Sequence, residues 1–147
     1  MKVQGLQDKT IAVLFGGASA EREVSLQSGR TVSDALRGLG YRVCDIDPAE
    51  SNWMQELDQV AFAFIVLHGP GGEDGALQGL LQWLEIPYTG SGVMASAVAM
   101  DKVRSKHLFR AASIPTPDYA FVRTRDEASV AAEQVGFPLI IKPSGQG

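Results

Sequence analysis

Two glycine-rich stretches and two lysines carry the chemistry that this sequence can offer. The first stretch is Gly16, Gly17, Ala18, Ser19, Ala20, Glu21, Arg22 and Glu23, which follows an apolar run and opens a helical pattern. It is not the dinucleotide fingerprint Gly-x-Gly-x-x-Gly, because Ala18 and Glu21 occupy the third and sixth places. It is not a P-loop either, because no Gly-Lys-Ser/Thr follows. Two uses of its acids stay open. Glu21 and Glu23 can complement the positive end of a helix in its first turn. Alternatively, a carboxylate here can hold the ammonium group of a ligand.

The second stretch is His68, Gly69, Pro70, Gly71, Gly72, Glu73, Asp74 and Gly75, with four glycines in eight residues. Ordering such a loop is entropically costly, and the cost is justified where backbone must approach something closely. His68 ends an apolar run, either as a structural hydrogen-bonder or as a ligand contact. Glu73 and Asp74 read as first-turn acids of the next helix. Further on, Lys102, Lys106 and Arg110 are spaced by four and share one helical face. They form a solvated basic stripe, or Lys102, beside the helix start, reaches a nucleotide phosphate. Lys142 ends the apolar pair Ile140-Ile141 and enters Pro143-Ser144-Gly145-Gln146-Gly147. A lysine buried without a partner is expensive. A phosphate would be such a partner, and the glycines at 145 and 147 let backbone N–H groups wrap an anion.

The elements that must position these groups alternate in type. Residues 11–15 and 61–67 are short apolar runs that read as buried parallel strands, and residues 41–47, closed by Pro48, read as the strand between them in sequence. A helix is expected from near Ala20, with Val32, Ala35, Leu36 and Leu39 on one face and Gly40 as its C-terminal stop. A short helix is expected over 51–59. Leu77, Leu80, Leu81 and Leu84 mark another helical face, and Pro87-Tyr88 leads to a short further strand. Strand–helix alternation predicts an α/β fold with a doubly wound parallel sheet. Ligands in such folds gather at the carboxyl ends of the strands, where both glycine-rich loops fall. After Gly90 the character changes. Asp101 reads as an N-cap to a basic helix over 102–112. Residues 119–122 and 138–142 read as strands, with a helix between them closed by Gly136. A domain division is expected near residue 95, giving units 1–95 and 96–147.

Composition narrows the partners. Of 147 residues, 45% are hydrophobic and 20% charged, enough for a packed core, and the net charge is −4. A mildly acidic chain is a poor general binder of nucleic acid. The single cysteine, Cys44, cannot close an intrachain disulfide, and no Cys/His group has metal spacing. The first ten residues hold Lys2, Asp8 and Lys9 rather than a signal sequence. No apolar run approaches the ~20 residues needed to span a bilayer. A cytoplasmic protein bound neither to nucleic acid nor to membrane is the expectation.

Four segments taken together resemble the D-alanine–D-alanine ligases of the ATP-grasp superfamily. They are Val13 to Ser25, Leu67 to Gly75, Pro87 to Val93, and Met100 to Lys106, in the family's order. The resemblance implies an N-terminal pre-ATP-grasp domain followed by the beginning of an ATP-grasp domain. It implies that Glu21, the first acid of Glu21-Arg22-Glu23, organises the first D-alanine near its amino group and acts in catalysis, with His68 near the same substrate. Lys102 and Lys142 match two lysines that contact ATP phosphates. The implied reaction phosphorylates one D-alanine carboxylate with ATP, and the amine of a second D-alanine attacks the acyl phosphate, in peptidoglycan precursor synthesis. Lysines and Mg²⁺ are then expected to offset the carboxylate and phosphate charge.

One departure is Pro70, where relatives often carry a basic or other polar residue. Another is that the magnesium ligands, a catalytic arginine and the adenine pocket are expected beyond Gly147. The 147 residues alone are therefore expected to be inactive. The family also implies a homodimer. Alternatives are a ligase joining D-alanine to D-lactate or D-serine, a non-catalytic binding or dimerisation fragment, and an unrelated doubly wound nucleotide-binding domain.

Overall fold

The computed structural model describes residues 5, 6 and 8–145. Gln146 and Gly147, the tail of the expected anion loop, lie outside them, as do residues 1–4 and 7 of the lead-in. Three parallel strands form the sheet: β1 (Thr10–Leu14), β2 (Arg42–Ile46) and β3 (Val60–Ile65), in the order β2-β1-β3. The α/β parallel fold expected from the alternation is present. β1 is central and almost wholly buried, as a parallel strand covered on both faces must be.

Side chains alternate across a strand, and the two faces of β1 meet different partners. Ala12 and Leu14 join Ile46, Ala63, Leu77 and Leu81 in one core cluster. This face is covered by α2 (Ala76–Trp83) and by a 3₁₀ segment, Trp53–Gln59, where the short helix was expected. The opposite face meets α1 (Arg22–Gly38). There the Phe15 ring fills the space beside Gly29, where a Cβ would stand 2.1 Å from a ring carbon. Ser33 of α1 donates to Asp45 Oδ1 at 2.5 Å, and Asp45 is the register partner of Val13.

α1 begins at Arg22 rather than near Ala20, because residues 16–20 are spent on the turn out of the sheet. Its end follows the expectation. Gly40 N–H bonds to Arg37 O and Tyr41 N–H to Leu36 O, with Gly40 at φ +81, which is a Schellman stop.

The further strand expected after Pro87 is reduced to one bridge, Ala63 with Tyr88. Ala63 N–H bonds to Pro87 O and Thr89 N–H to Ala63 O. At the next ladder position the Thr89 hydroxyl accepts from Ile65 N–H at 2.9 Å. A side chain thereby takes the place of backbone, and the ladder ends.

Beyond the sheet come α3 (Val93–Met100), α4 (Lys102–Ala111) and α5 (Arg125–Val135). Asp101 caps α4 as expected, its side chain accepting from Val103 N–H and Arg104 N–H at 3.0 Å each. Residues 119–122 and 138–142 are not strands. A strand needs a neighbour to take its backbone bonds, and no described strand pairs with either. Ile140 and Ile141 are each 81% exposed. The basic stripe on α4 is not simply solvated. Lys106 Nζ donates to Pro117 O at 2.8 Å, Arg110 pairs with Asp118 at 3.1 Å, and both cations lie over the Tyr119 ring. The stripe clips the extended segment after Pro115 onto the helix.

Candidate functional site

Where β1 leaves the sheet, backbone must turn sharply and its polar groups need new partners. Phe15 N–H makes the last bond, to Ile46 O. Gly16 and Gly17 then adopt φ +89 and +72, a region that favours glycine. Gly16 N–H donates to Ser25 Oγ at 2.8 Å, and that hydroxyl donates to Val66 O at 2.7 Å. Gly17 N–H donates to Asp47 Oδ1 at 2.8 Å, and Gly17 O accepts from Arg22 Nη1 at 2.8 Å. Arg22 closes the circuit with an ion pair to Asp47 Oδ2 at 2.7 Å.

Electrostatics follow this circuit. Burial pushes the Asp47 carboxyl up, but hydrogen bonds from Arg22, Ala49 N–H and Gly17 N–H outweigh it and hold the carboxyl below the usual range. Arg22 is raised in turn, chiefly by its hydrogen bond to Asp47.

The loop after β3 folds against this turn. Ser19 Oγ donates to His68 O at 2.8 Å and accepts from Glu21 N–H at 3.2 Å, so one hydroxyl joins the two glycine-rich loops. The Glu21 side chain caps no α1 amide. Its Oε2 lies 2.8 Å from where a Cβ on Gly69 would stand, and Gly69 itself has φ +70. Glycine at 69 therefore makes room for the Glu21 carboxylate.

Glu73 and Asp74 are not first-turn acids of α2, which starts later, at Ala76. They organise the loop instead. Glu73 Oε2 accepts from Gly69 N–H at 2.8 Å, and Asp74 accepts from Gly71 N–H and Ala76 N–H. The buried Gln78 Nε2 donates to Gly72 O at 2.7 Å. His68 Nδ1 stands 4.0 Å from Glu73 Oε1, and its Nε2 is buried with no partner among the described residues.

Between the two loops, at the carboxyl edge of the sheet, lies a cleft of ≈ 340 Å³. Gly17, Ser19 and His68 form part of its wall, and Trp53, Leu77 and Leu80 supply an apolar side. Glu21 sits just outside this lining, against Gly69. An imidazole residue and open glycine backbone on a cleft with one apolar side, and a carboxylate next to it, suit a small amino acid. The carboxylate complements an ammonium group, and the apolar wall limits side-chain size.

The four residues singled out from sequence thus fall into two groups. Glu21 and His68 are brought together across 47 positions of sequence by Ser19 and Gly69. Lys102 and Lys142 do not line the cleft. Their segments meet elsewhere: Lys102 N–H, at the start of α4, bonds to Ser144 O at 2.9 Å, two residues beyond the exposed Lys142. Among the described residues no three or more His, Cys, Asp or Glu side chains are placed to hold a metal ion.

Sequence reasoning missed Asp47 and gave Arg22, Ser19 and Ser25 no role of their own, though all four shape the turn. A signal existed for one of them. An acid closing a strand at the ligand edge, followed by Pro48, is positioned to bind the exposed N–H groups of a neighbouring glycine turn.

Known proteins of similar sequence and fold agree with one another. The family described as "D-ala D-ala ligase N-terminus" matches residues 45–91, which include His68. A D-alanine–D-alanine ligase of Ectopseudomonas mendocina is 50% identical over 139 residues, 93% of this chain and 44% of that protein. One from Alcanivorax borkumensis is 53% identical over 137 residues, 93% of this chain and 42% of that protein. The crystal structure of the Bacillus anthracis D-alanine–D-alanine ligase superposes with a TM-score of 0.78 at 35% identity, covering 95% of this chain and 46% of that one. The same enzyme complexed with ATP gives 0.77 at 35% identity, covering 94% and 48%. The chain spans less than half the length of these relatives. Matched across nearly all of its own length in both sequence and fold, the chain belongs to the D-alanine–D-alanine ligase family as a counterpart of the N-terminal part of its members.

Proposed function

We propose that the protein carrying this chain joins two D-alanines at the expense of ATP, through an acyl phosphate, to supply D-alanyl-D-alanine for peptidoglycan precursors. The observation that carries this reading is the seat of Glu21, its carboxylate held against Gly69 beside the His68 cleft. In this reading Glu21 receives the ammonium group of the first D-alanine and acts in catalysis, and His68 contacts the same substrate. Lys102 and Lys142 meet ATP phosphates, from segments joined through Ser144. Residues 1–95 form the substrate-binding domain, and 96–147 open the ATP-grasp domain.

Magnesium, whose ligands would lie outside this chain, a homodimeric state and a cytoplasmic location belong to the same proposal. No described helix is long and apolar enough to cross a membrane. The 147 residues alone are proposed to be inactive, since they match only part of a ligase.

The test is ATP turnover with a panel of second substrates, in the longer protein that carries this chain. Turnover with D-alanine is expected. Turnover with D-lactate or D-serine but not with a second D-alanine overturns the substrate assignment. Glu21→Gln is expected to lower turnover by about tenfold or more while ATP affinity holds, as loss of a group positioned on the reacting substrate does. Lys142→Ala is expected to weaken ATP affinity instead. Equal loss of ATP affinity in both variants removes the role assignments.

A further inference from the structure

The place of Glu21 is decided by an ion pair, Asp47 with Arg22, whose two residues do not themselves line the cleft. At the end of β2, Asp47 reaches under the glycine turn of β1, and the space it fills exists only because residue 16 has no side chain. A Cβ on Gly16 would stand 2.5 Å from Asp47 Oδ2. From there Asp47 accepts from Gly17 N–H at 2.8 Å, from Ala49 N–H at 2.9 Å and from Arg22 Nη1 at 3.1 Å. It pairs with Arg22 Nη2 at 2.7 Å. Arg22 returns to Gly17 O at 2.8 Å. Both polar groups of Gly17 are therefore held by one ion pair, and one end of that pair is the residue next to Glu21. A bidentate Arg–carboxylate pair fixes direction as well as distance, so it sets the angle at which α1 departs from β1. Ser19 carries the same geometry across to His68 O.

We propose that Asp47 is a positioning residue which, through Arg22 and Gly17, sets the Glu21 carboxylate over Gly69 for recognition of an amino-acid ammonium group. The proposal rests on the reading of Glu21 given above, and it adds a residue from a different strand to that site. Asp47 itself touches no substrate. Removing its charge loosens the turn, moves Glu21, and leaves the sheet and the ATP-side segments as they were.

The experiment is amide-resolved NMR of the 147-residue chain, with D-alanine as the titrant, on wild type, Asp47→Asn, Glu21→Gln and the double variant. Asp47→Asn is expected to shift the amides of Glu21 and Gly69 as well as those of Gly17 and Ala49, with α5 unmoved. It is also expected to weaken D-alanine binding about tenfold, the scale of one lost charge-assisted hydrogen bond. In the Glu21→Gln background the same change should add almost nothing, because the effect passes through Glu21. Arg22→Lys, which keeps the charge and loses the fork, should shift the same four amides and serves if Asp47→Asn does not fold. Shifts confined to Gly17 and Ala49 overturn the proposal, and so does an equal loss of affinity in both backgrounds. The substrate reading stands or falls on turnover in the longer protein, and if this chain alone binds no D-alanine the amide shifts at Glu21 and Gly69 still decide whether Asp47 positions that carboxylate.

Discussion

Residues 10–90 and residues 102–145 carry similar apolar patterns and end in opposite states. Every hydrophobic residue of the buried core falls between Ile11 and Ile86. Neither α4 nor α5 contains a buried residue, and Phe137, Ile140 and Ile141 are each 81% exposed. Periodicity tells which face of an element is apolar, but coverage depends on a second element being there to cover it. In the first region β1 is flanked on both edges and both faces. In the second, α4 instead ties its cations to a neighbouring extended segment.

The largest test of this contrast is a pair of truncations. Leu81 is fully buried in α2 among Leu14, Ile46 and Leu77. Leu81→Ala should cost about 2–5 kcal/mol, from lost transfer energy plus the cavity left behind. Ile140→Ala removes a comparable side chain from the exposed segment and should change stability by no more than about 0.5 kcal/mol. Urea denaturation of the two variants checks both. Comparable losses would mean that the second region shares the core.

A finer pair lies within one helix. Gly29 and Gly38 both sit in α1, but a Cβ on Gly29 meets the Phe15 ring at 2.1 Å, while one on Gly38 meets nothing within 4 Å. Gly29→Ala should destabilise by about 1–3 kcal/mol, because Phe15 must leave its place in a packed face. Gly38→Ala should be neutral or stabilise by up to about 1 kcal/mol through lower chain entropy. Thermal melts of the two variants should move in different directions. A shared direction would show that propensity outweighs packing at this helix.

What the sequence revealed divides along the same line. The three strands of the sheet, the Gly40 stop and the Asp101 cap follow from apolar run length, glycine placement and N-cap chemistry, all of which act within a few residues. Helix α3 had no such marker in its small apolar residues. The failed strands at 119–122 and 138–142 were read from apolar runs whose meaning depends on a distant edge. The site shows the same split. Glu21 and His68 stand out at the carboxyl ends of β1 and β3, but their meeting through Ser19 and Gly69 spans 47 positions. Asp47 offers only half a signal, an acid before Pro48 at a strand end; which turn it holds is decided by β2 lying beside β1.

Acid titration separates two carboxylates held below the usual range for different reasons. Asp47 is held there by Arg22, Ala49 N–H and Gly17 N–H against the opposing effect of burial. Asp101 is held there first by Arg104 N–H, with the opposing effect of burial outweighed by the Arg104 charge and Val103 N–H. A folded-state value below the unfolded one gives stability that is present above the unfolded value, about 3.9. That stability is lost as pH falls through the lower folded value. The urea midpoint of wild type should therefore exceed that of Asp47→Asn near neutrality, and the gap should close as pH drops below about 4. A gap that is independent of pH would mean that the Asp47 charge contributes nothing to the turn.

The smallest effect should be local. Asp101 and Glu21 hold the same formal place, just before the first residue of a helix, and use it differently. Asp101 bonds two amides of α4, while Glu21 makes no side-chain bond to α1 and stands against Gly69. Asp101→Ala should speed hydrogen exchange at Val103 and Arg104, because two N–H groups without helical partners lose their acceptor. The urea midpoint should barely move, since α4 buries no residue of the core. Glu21→Ala should leave exchange in the first turn of α1 unchanged and disturb Gly69 instead. If Glu21→Ala instead frays α1, the carboxylate is serving the helix end, and the reason for placing it at the cleft is lost.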